Sequence, residues 1–167
     1  MSRAHRTADA LVLAFLVGCL ACGDAAVDPR RFEAVRLAID SVRADIRTTG
    51  AGSQHLQQLL RTLDVQLEAA GQRVRGRREA TALRGYREAA EAYKYLLRFR
   101  DLEVDGPDGT LLLRGANRPI ALRYKVPFKE QGGGRWVNRK NAIDVFAAKA
   151  DVALAEANRI LQPTGAQ

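Results

Sequence analysis

Four segments of the chain repeat apolar residues at the spacing of an α-helix, and this pattern restricts the fold more than any other feature. Their stripes are Phe32, Val35, Ile39, Val42 and Ile46; Leu56, Leu60, Leu63, Leu67, Ala70 and Val74; Leu83, Tyr86, Ala90, Tyr93 and Leu97; and Ile143, Phe146, Ala150, Leu154, Ala157 and Leu161. Each stripe lies on one helix face and needs another element to cover it. Because the first three segments are joined by short connections, we expect a mainly α domain, an antiparallel four-helix bundle over residues 29–162.

Capping residues indicate where these helices begin and end. Asp28 followed by proline is typical of a helix start, because the carboxylate caps free amides and proline fits the first helical position. Ser53 and Asn141 are the corresponding candidates for the second and last helices. Glycine and the arginines around positions 75–76 predict a turn between the second and third helices. One kinked helix over residues 53–100 is the alternative.

A small β-structure is predicted between the third and last helices, over about residues 102–128. Apolar and other residues alternate over 120–126, which is the period of a half-buried strand. Its expected partner is 110–114, reached through a connection that contains glycine and proline. Residues 102–104 are a candidate for a third, short strand. The sequence therefore predicts a β-hairpin inserted before the last helix.

The N-terminus has the layout of a secretory signal. Two arginines precede an apolar run of about ten residues, whereas a helix that spans a bilayer needs roughly 20. The run ends in Leu16-Val17-Gly18-Cys19, which resembles the lipobox of bacterial lipoprotein precursors position by position. The resemblance is confined to the first 22 residues. Cys22 is the alternative acceptor, but the residue three before it is a cysteine where the motif has an aliphatic side chain.

The resemblance implies a covalent membrane anchor. In that family the cysteine thiol is joined to diacylglycerol, the signal is cut just before it, and the new N-terminus is acylated, so Cys19 is the expected lipidation site. Leu20 follows it, whereas the family associates an aspartate there with retention at the inner membrane, so an outer-membrane position facing the periplasm is favoured. Residues 1–18 are then the signal peptide, 19–28 a lipidated tether and 163–167 a tail. Two or three acyl chains hold stably where one is marginal.

Removal of the signal leaves a chain long enough for one domain with its own core. Of the 167 residues 149 remain, and the only two cysteines lie beside the signal, so the folded part gains no disulfide in an oxidising compartment. The formal charge is +8 for the full chain and +7 for the mature part. Arginine outnumbers lysine by 22 to 5, a bias also typical of GC-rich genomes, so composition alone does not establish an anionic partner.

The positive charge is concentrated in residues 111–141, which we call the basic segment. Its eight cations are opposed only by Glu130, so its net charge of +7 equals that of the whole mature chain. With Trp136 and a glycine run, this predicts a surface for an anionic envelope polymer, a lipid headgroup or an acidic protein partner. A solvated loop anchored by the tryptophan is the alternative, and nucleic acid is disfavoured by the compartment. The candidate residues are Arg114, Arg118, Arg123, Lys125, Lys129, Arg135, Trp136, Arg139 and Lys140.

Catalytic chemistry has little support in the sequence. His55 is the only histidine of the mature chain and is expected to be a surface residue at a helix start, and no residues have the spacing of a zinc, iron or calcium site. We therefore expect no catalytic residues, no metal and no cofactor. A cell-wall-acting hydrolase using two carboxylates among Glu88, Glu91, Asp101 and Glu103 is one alternative. A self-associating structural spacer is another, and the oligomeric state is left open.

Overall fold

The computed structural model describes residues 27–48 and 53–162. Cys19, Cys22, the whole signal segment, residues 49–52 and the tail 163–167 lie outside the described residues. The predictions made for the signal, the lipid anchor and the tail therefore stay predictions.

The described chain is mainly helical, as predicted, with a small antiparallel sheet between the third and last long helices. A short 3-10 turn, Pro29–Phe32, leads into the first α-helix. The helices are α1 Glu33–Arg47, α2 Ser53–Gly71, α3 Arg77–Arg100, α4 Asn117–Arg123 and α5 Arg139–Leu161. The strands are β1 Thr110–Leu112, β2 Lys129–Gln131 and β3 Gly134–Asn138.

The four predicted apolar stripes form one core with α3 at its centre. α3 packs against both α2 and α5, and α1 packs against α2. Every stripe residue is buried except Ile46, Val74 and Ile143, which are partly buried at the edges of the core. The turn predicted near residue 76 is present, so the single kinked helix over 53–100 is wrong. Gly76 supplies a φ of +99° there, a backbone conformation that glycine adopts without steric cost.

Small residues allow α3 and α5 to approach closely. A Cβ on Gly85 would lie 3.0 Å from the Cβ of Ala157 and 3.1 Å from the carbonyl oxygen of Ala153. One residue further on, the buried Tyr86 hydroxyl donates a hydrogen bond of 2.6 Å to the Asn158 side chain. These contacts set the spacing of the two helices that carry the sheet between them.

A buried carboxylate fastens the start of the described chain to the turn before α3. Glu79 is 1% exposed, and its oxygens accept hydrogen bonds from the backbone amides of Asp28 at 3.2 Å and Arg75 at 2.7 Å. The Arg31 guanidinium reaches both carboxylate oxygens, at 3.0 and 2.9 Å. Asp28 itself caps the first turn as predicted, accepting from the Arg30 amide. The entry of the chain into α1 is thus held against the α2–α3 turn.

The sheet has the order β1–β3–β2, with both pairs antiparallel. β2 and β3 form a hairpin in which Gln131 pairs with Gly134. The two residues between them, Gly132 and Gly133, have φ of +59° and +73°. Positive φ at both central positions is the type I′ geometry that matches the twist of a tight hairpin, and glycine is well suited to it. β3 continues directly into α5.

The strand predicted over residues 120–126 is wrong, because the chain forms the helix α4 and a turn there. Ala121, expected on the solvent side, is fully buried, whereas Leu122, expected inside, is 43% exposed. Ile120 and Tyr124 are partly buried on the same side as Ala121, which is a helical spacing. The helix tolerates its proline because that residue lies in the first turn, where amides have no intrahelical partner.

Four smaller predictions also need correction. Residues 102–104 form no strand, and the hairpin uses β2 and β3 instead of 110–114 with 120–126. Asn138, rather than Asn141, caps α5, and its side chain accepts a hydrogen bond from the Asn141 amide. Ser53 is the first residue of α2, and its hydroxyl lies 2.6 Å from the Asp101 carboxylate, to which it donates.

Replacing Glu79 by glutamine tests the contacts through which this carboxylate holds residue 28 against the α2–α3 turn. Burial disfavours the charged form, but hydrogen bonds from the Arg75 and Asp28 amides and from Arg31 outweigh it and lower the pKa of Glu79. We expect Glu79→Gln to lower the free energy of unfolding at pH 7 by about 3 kcal/mol. The amide removes the charge that pairs with Arg31 and replaces one acceptor oxygen by an NH₂ group, so a buried donor loses its acceptor. Urea unfolding of both proteins measures the difference.

The same pair of proteins gives a pH dependence with a defined sign. Because the folded pKa of Glu79 is lowered, its contribution is present above the unfolded pKa and is lost as the pH falls through the folded pKa. The gap between wild type and Glu79→Gln should therefore narrow below about pH 4. Glu68→Gln, an exposed change on α2, is the matched control and should have little effect. A gap that stays constant down to pH 3 would contradict the role given to the ionised carboxylate.

Candidate anion-binding surface

The clearest candidate site is a groove beside the glycine hairpin. It has a volume of about 400 Å³ and is lined by Leu113, Arg118 and residues 130–135. β1 and the first turn of α4 form one wall, and the β2–β3 hairpin forms the other. The glycine backbone at 132–133 is exposed in this wall, so a ligand can approach it closely.

The two arginines of the groove differ in how their charge is used. Arg135 lies 3.0 Å from the Glu130 carboxylate, and its guanidinium stands 4.9 Å from the centre of the Phe128 ring. Arg118 is exposed and forms no ion pair with any carboxylate among residues 27–48 and 53–162. Arg118 is therefore the cation of this groove that is available to an anion, and Arg135 is a pre-positioned second donor.

Trp136 does not share the groove with Arg135, because adjacent residues of a strand point to opposite faces. It pairs across the sheet with Lys129 and is partly buried. Its indole nitrogen donates to the Gln131 carbonyl at 3.1 Å, and its ring lies 3.4 Å from where a Cβ of Gly106 would be. The tryptophan thus ties the hairpin to the loop before β1, which fits the anchoring alternative better than an exposed interface.

The remaining candidates are distributed over several surfaces. Arg114, at the end of β1, lies 3.7 Å from Asp105, and Lys140 lies 2.6 Å from Asp144. Arg139 donates to the Leu102 carbonyl at 3.4 Å. Lys125 follows α4 with a φ of +55°, and both Lys125 and Lys129 are exposed.

The charge balance of the basic segment is lower than the sequence predicted. Glu91, Asp105 and Asp144 lie outside residues 111–141, yet the fold places each of them against one of the segment's cations. Together with Glu130, four carboxylates therefore oppose the eight cations, so the local excess is +4 instead of +7. The pairing acids were missed because they are distant in sequence or just beyond the segment.

Glu91, named above as a carboxylate of the hydrolase alternative, has a structural role that the sequence did not indicate. It holds α4 against α3, since its two oxygens accept from the Arg123 guanidinium at 2.9 and 3.0 Å. The Tyr95 hydroxyl donates to it at 2.8 Å, and the Tyr124 hydroxyl lies 3.5 Å away. Arg123, expected on an outward strand face, is therefore a structural partner of α3. In the sequence Glu91 lies four residues after Arg87, the spacing of a surface ion pair on one helix, and this gives no sign of the contact with Arg123.

Aromatic rings surround this ion pair and extend it into the core. The Tyr124 ring lies 5.4 Å from Tyr95 and 5.1 Å from Phe146, measured between centroids. Phe146 in turn contacts Phe99 at 5.0 Å. Burial, followed by the nearby Glu91 charge, raises the pKa of Tyr124 to about 12. Burial opposes ionisation of Glu91, but hydrogen bonds from Tyr95 and Arg123 lower its pKa.

Comparison with protein-family models, with curated proteins and with solved structures finds no match for this chain. Within residues 27–48 and 53–162, no three histidine, cysteine or acidic side chains are grouped in a way that could hold a metal ion. No helix in that part of the chain combines the length and apolar character needed to cross a membrane. The geometry described above is therefore the basis for any functional proposal.

Tyrosine titration tests the Glu91 cluster. The hydrogen bond to Glu91, followed by burial, raises the pKa of Tyr95, and the Glu91 charge contributes to the raised pKa of Tyr124. Glu91→Gln removes the negative charge, so both phenols should ionise at lower pH, as followed by tyrosinate absorbance. Glu88→Gln, an exposed change one turn away on α3, should leave the titration unchanged. Identical curves for the two variants would show that Glu91 does not set these pKa values.

Proposed function

We propose that this protein is a non-catalytic lipoprotein of the bacterial cell envelope that binds an anionic component through the basic segment. The proposal has two parts: a lipid anchor at Cys19 and a binding groove between α4 and the β2–β3 hairpin. The observation that carries the second part is the exposed Arg118 beside Arg135 and the glycine turn. Phosphate or carboxylate groups of a wall polymer suit such a site.

In this proposal the four long helices act as an antiparallel bundle that separates the anchor from the groove. α3 has 24 residues, so it is about 36 Å long. Residue 28 lies at the end where α3 begins, because Glu79 binds its amide. The sheet lies beyond the other end of α3, where the chain passes through Asp101 into β1. A groove at that end, roughly 30 Å along α3 from the chain entry, would face away from the membrane that holds the lipid.

The hydrolase alternative has less support from the acidic residues named for it. A general acid needs a carboxyl with a raised pKa, whereas the pKa of Glu91 is lowered. Asp101 accepts a hydrogen bond from Ser53 and lies 3.8 Å from Arg100. Both carboxylates have structural partners, which favours a binding role.

The spacer alternative depends on an exposed apolar stripe. Among the residues that the structure describes, the three most exposed large apolar ones are Leu37, Val65 and Val152, at 62%, 64% and 68%. They lie on three different helices, α1, α2 and α5. Single exposed apolar residues are common on monomeric proteins and do not require an interface.

Mass spectrometry of the protein from its native membranes tests the anchor. We expect the first mature residue to be Cys19, with a diacylglyceryl group on sulfur and an acyl group on nitrogen. Cys19→Ser should abolish this modification, whereas Cys22→Ser should keep it. An unmodified Cys19 in membrane-extracted wild type would overturn the lipoprotein proposal.

Binding to isolated envelope polymers tests the groove. Detergent-solubilised protein should bind purified cell wall, with an affinity that falls as salt rises. We expect Arg118→Gln/Arg135→Gln to weaken this binding roughly tenfold through the loss of two cations. Arg61→Gln/Arg84→Gln removes the same charge from exposed helix positions and is the matched control. Equal binding by both double variants, with unchanged melting temperatures, would exclude the groove as the site.

A further inference from the structure

A second positive surface lies at the opposite end of the bundle, outside the basic segment. Three stretches meet there: residues 27–31, 72–79 and 159–162. The Asp28 and Arg75 amides share the Glu79 carboxylate, and the Arg78 guanidinium donates to the carbonyls of Ile160 and Gln162. These stretches contain seven arginines and two acidic residues, and Glu156, just outside them, pairs with Arg159, so the local excess is +4. Because the basic segment carries the whole net charge of the mature chain, the charges of the long helices sum to about zero, and this sum conceals a charged end.

Four of these arginines are available to a ligand. Arg30, Arg73, Arg75 and Arg77 are exposed, and none forms an ion pair with a carboxylate of the described residues. The two acids at this end are already used: Glu79 binds Arg31, and Asp28 caps the first turn and lies 3.7 Å from Arg31. We call the four exposed residues the arginine end.

The backbone of this end presents its cations outward. Val74 packs against the core between Arg73 and Arg75, so the turn is anchored at its centre while its flanking residues are exposed. A Cβ at Gly76 would meet nothing within 4 Å, so the tip of the turn is open. A broad surface can therefore approach these side chains without steric hindrance.

We propose that the arginine end binds the acidic phospholipid headgroups of the bilayer that holds the lipid anchor. This inference rests on the proposed lipidation of Cys19. The tether of residues 19–28 spans at most about 33 Å when fully extended, so the end of the domain that contains residue 28 is the end that reaches the membrane surface most readily. Through its carboxylate, Glu79 ties that same residue to the turn before α3, which contains Arg73 and Arg75. Each arginine near an anionic bilayer strengthens attachment about fivefold.

Headgroup contact would orient the domain as well as retain it. An acylated tether alone lets a domain tumble, whereas cations gathered at the tethered end favour an upright bundle. The arginine end lies where α3 begins, and Asn117, next to Arg118, binds Arg98, 21 residues or about 32 Å further along α3, which is several Debye lengths at physiological salt. The arginine end and the groove can therefore bind different anions at the same time.

Arginine footprinting on reconstituted protein tests the proposal. The native acylated protein is placed in vesicles of phosphatidylcholine alone or with 30% phosphatidylglycerol, an arginine-selective reagent is added, and labelling is mapped by mass spectrometry. Arg73, Arg75 and Arg77 should be protected severalfold in the anionic vesicles only. Arg118, at the distal groove, should react equally in both. Equal labelling of the three arginines in the two vesicle types would overturn the proposal.

A chain without the anchor separates this proposal from the lipidation itself. Cys19→Ser protein of the mature length, residues 19–167 without the apolar signal, should bind the anionic vesicles more tightly than the neutral ones. Arg73→Gln/Arg75→Gln/Arg77→Gln in this background should lose on the order of 100-fold in anionic binding. Arg47→Gln/Arg61→Gln/Arg84→Gln, with the same charge change at exposed positions elsewhere, should lose much less. Equal losses of anionic binding in the two triple variants would show that only net charge matters, and would overturn the assignment to the arginine end. This outcome does not depend on whether Cys19 is lipidated in the native protein.

Discussion

The rest of the structure depends on the burial of α3 over most of its circumference. Its buried residues include the neighbouring pairs Leu96 and Leu97 and Ala89 and Ala90, which face different directions around a helix. One packing partner cannot cover such a surface, so α2 and α5 both pack against it, and the Phe32 ring stacks on Tyr86 from the start of α1. Every functional element is positioned relative to this helix: Glu79 near its beginning holds the chain entry, Glu91 holds α4, and its end leads into the sheet.

Charge on this protein has to be assessed in three dimensions. Summing residues 111–141 gives a strongly basic segment, but Arg123 belongs to an aromatic-lined ion pair with α3, and Arg135 is shared with Glu130. What persists as an available cation in the hairpin groove is Arg118. Conversely, the turn before α3 contains few residues but exposes Arg73, Arg75 and Arg77 together with Arg30 from the first turn. Counting charges along the sequence overstates the first surface and overlooks the second.

The long helices could be predicted from the sequence because their stripes repeat over four or more turns, so one misplaced residue does not change the pattern. The insertion could not. Over residues 120–126 the seven-residue alternation matches the period of a strand by chance. The chain forms a helix there, with Ala121 buried and with its proline in the first turn, where proline is tolerated. The true hairpin strands are only three and five residues long, and one of them is fully exposed, so hydrophobic periodicity carries little information about them. The contacts of Glu79 and Glu91 join residues that are 51 and 32 positions apart in the sequence. Local sequence patterns carry no information over such separations.

The position of the Glu79 clasp has a mechanical consequence. If the lipid holds one side and a polymer in the hairpin groove holds the other, any tension between the outer membrane and the wall runs along the helix axes, from residue 28 to the sheet. The first noncovalent contacts to carry that load are those of the Asp28 amide and the Arg31 guanidinium with Glu79, and a force directed away from the turn stretches both together. Bonds loaded in parallel share the force, so a buried carboxylate at this position would let a small domain act as a strain-bearing link.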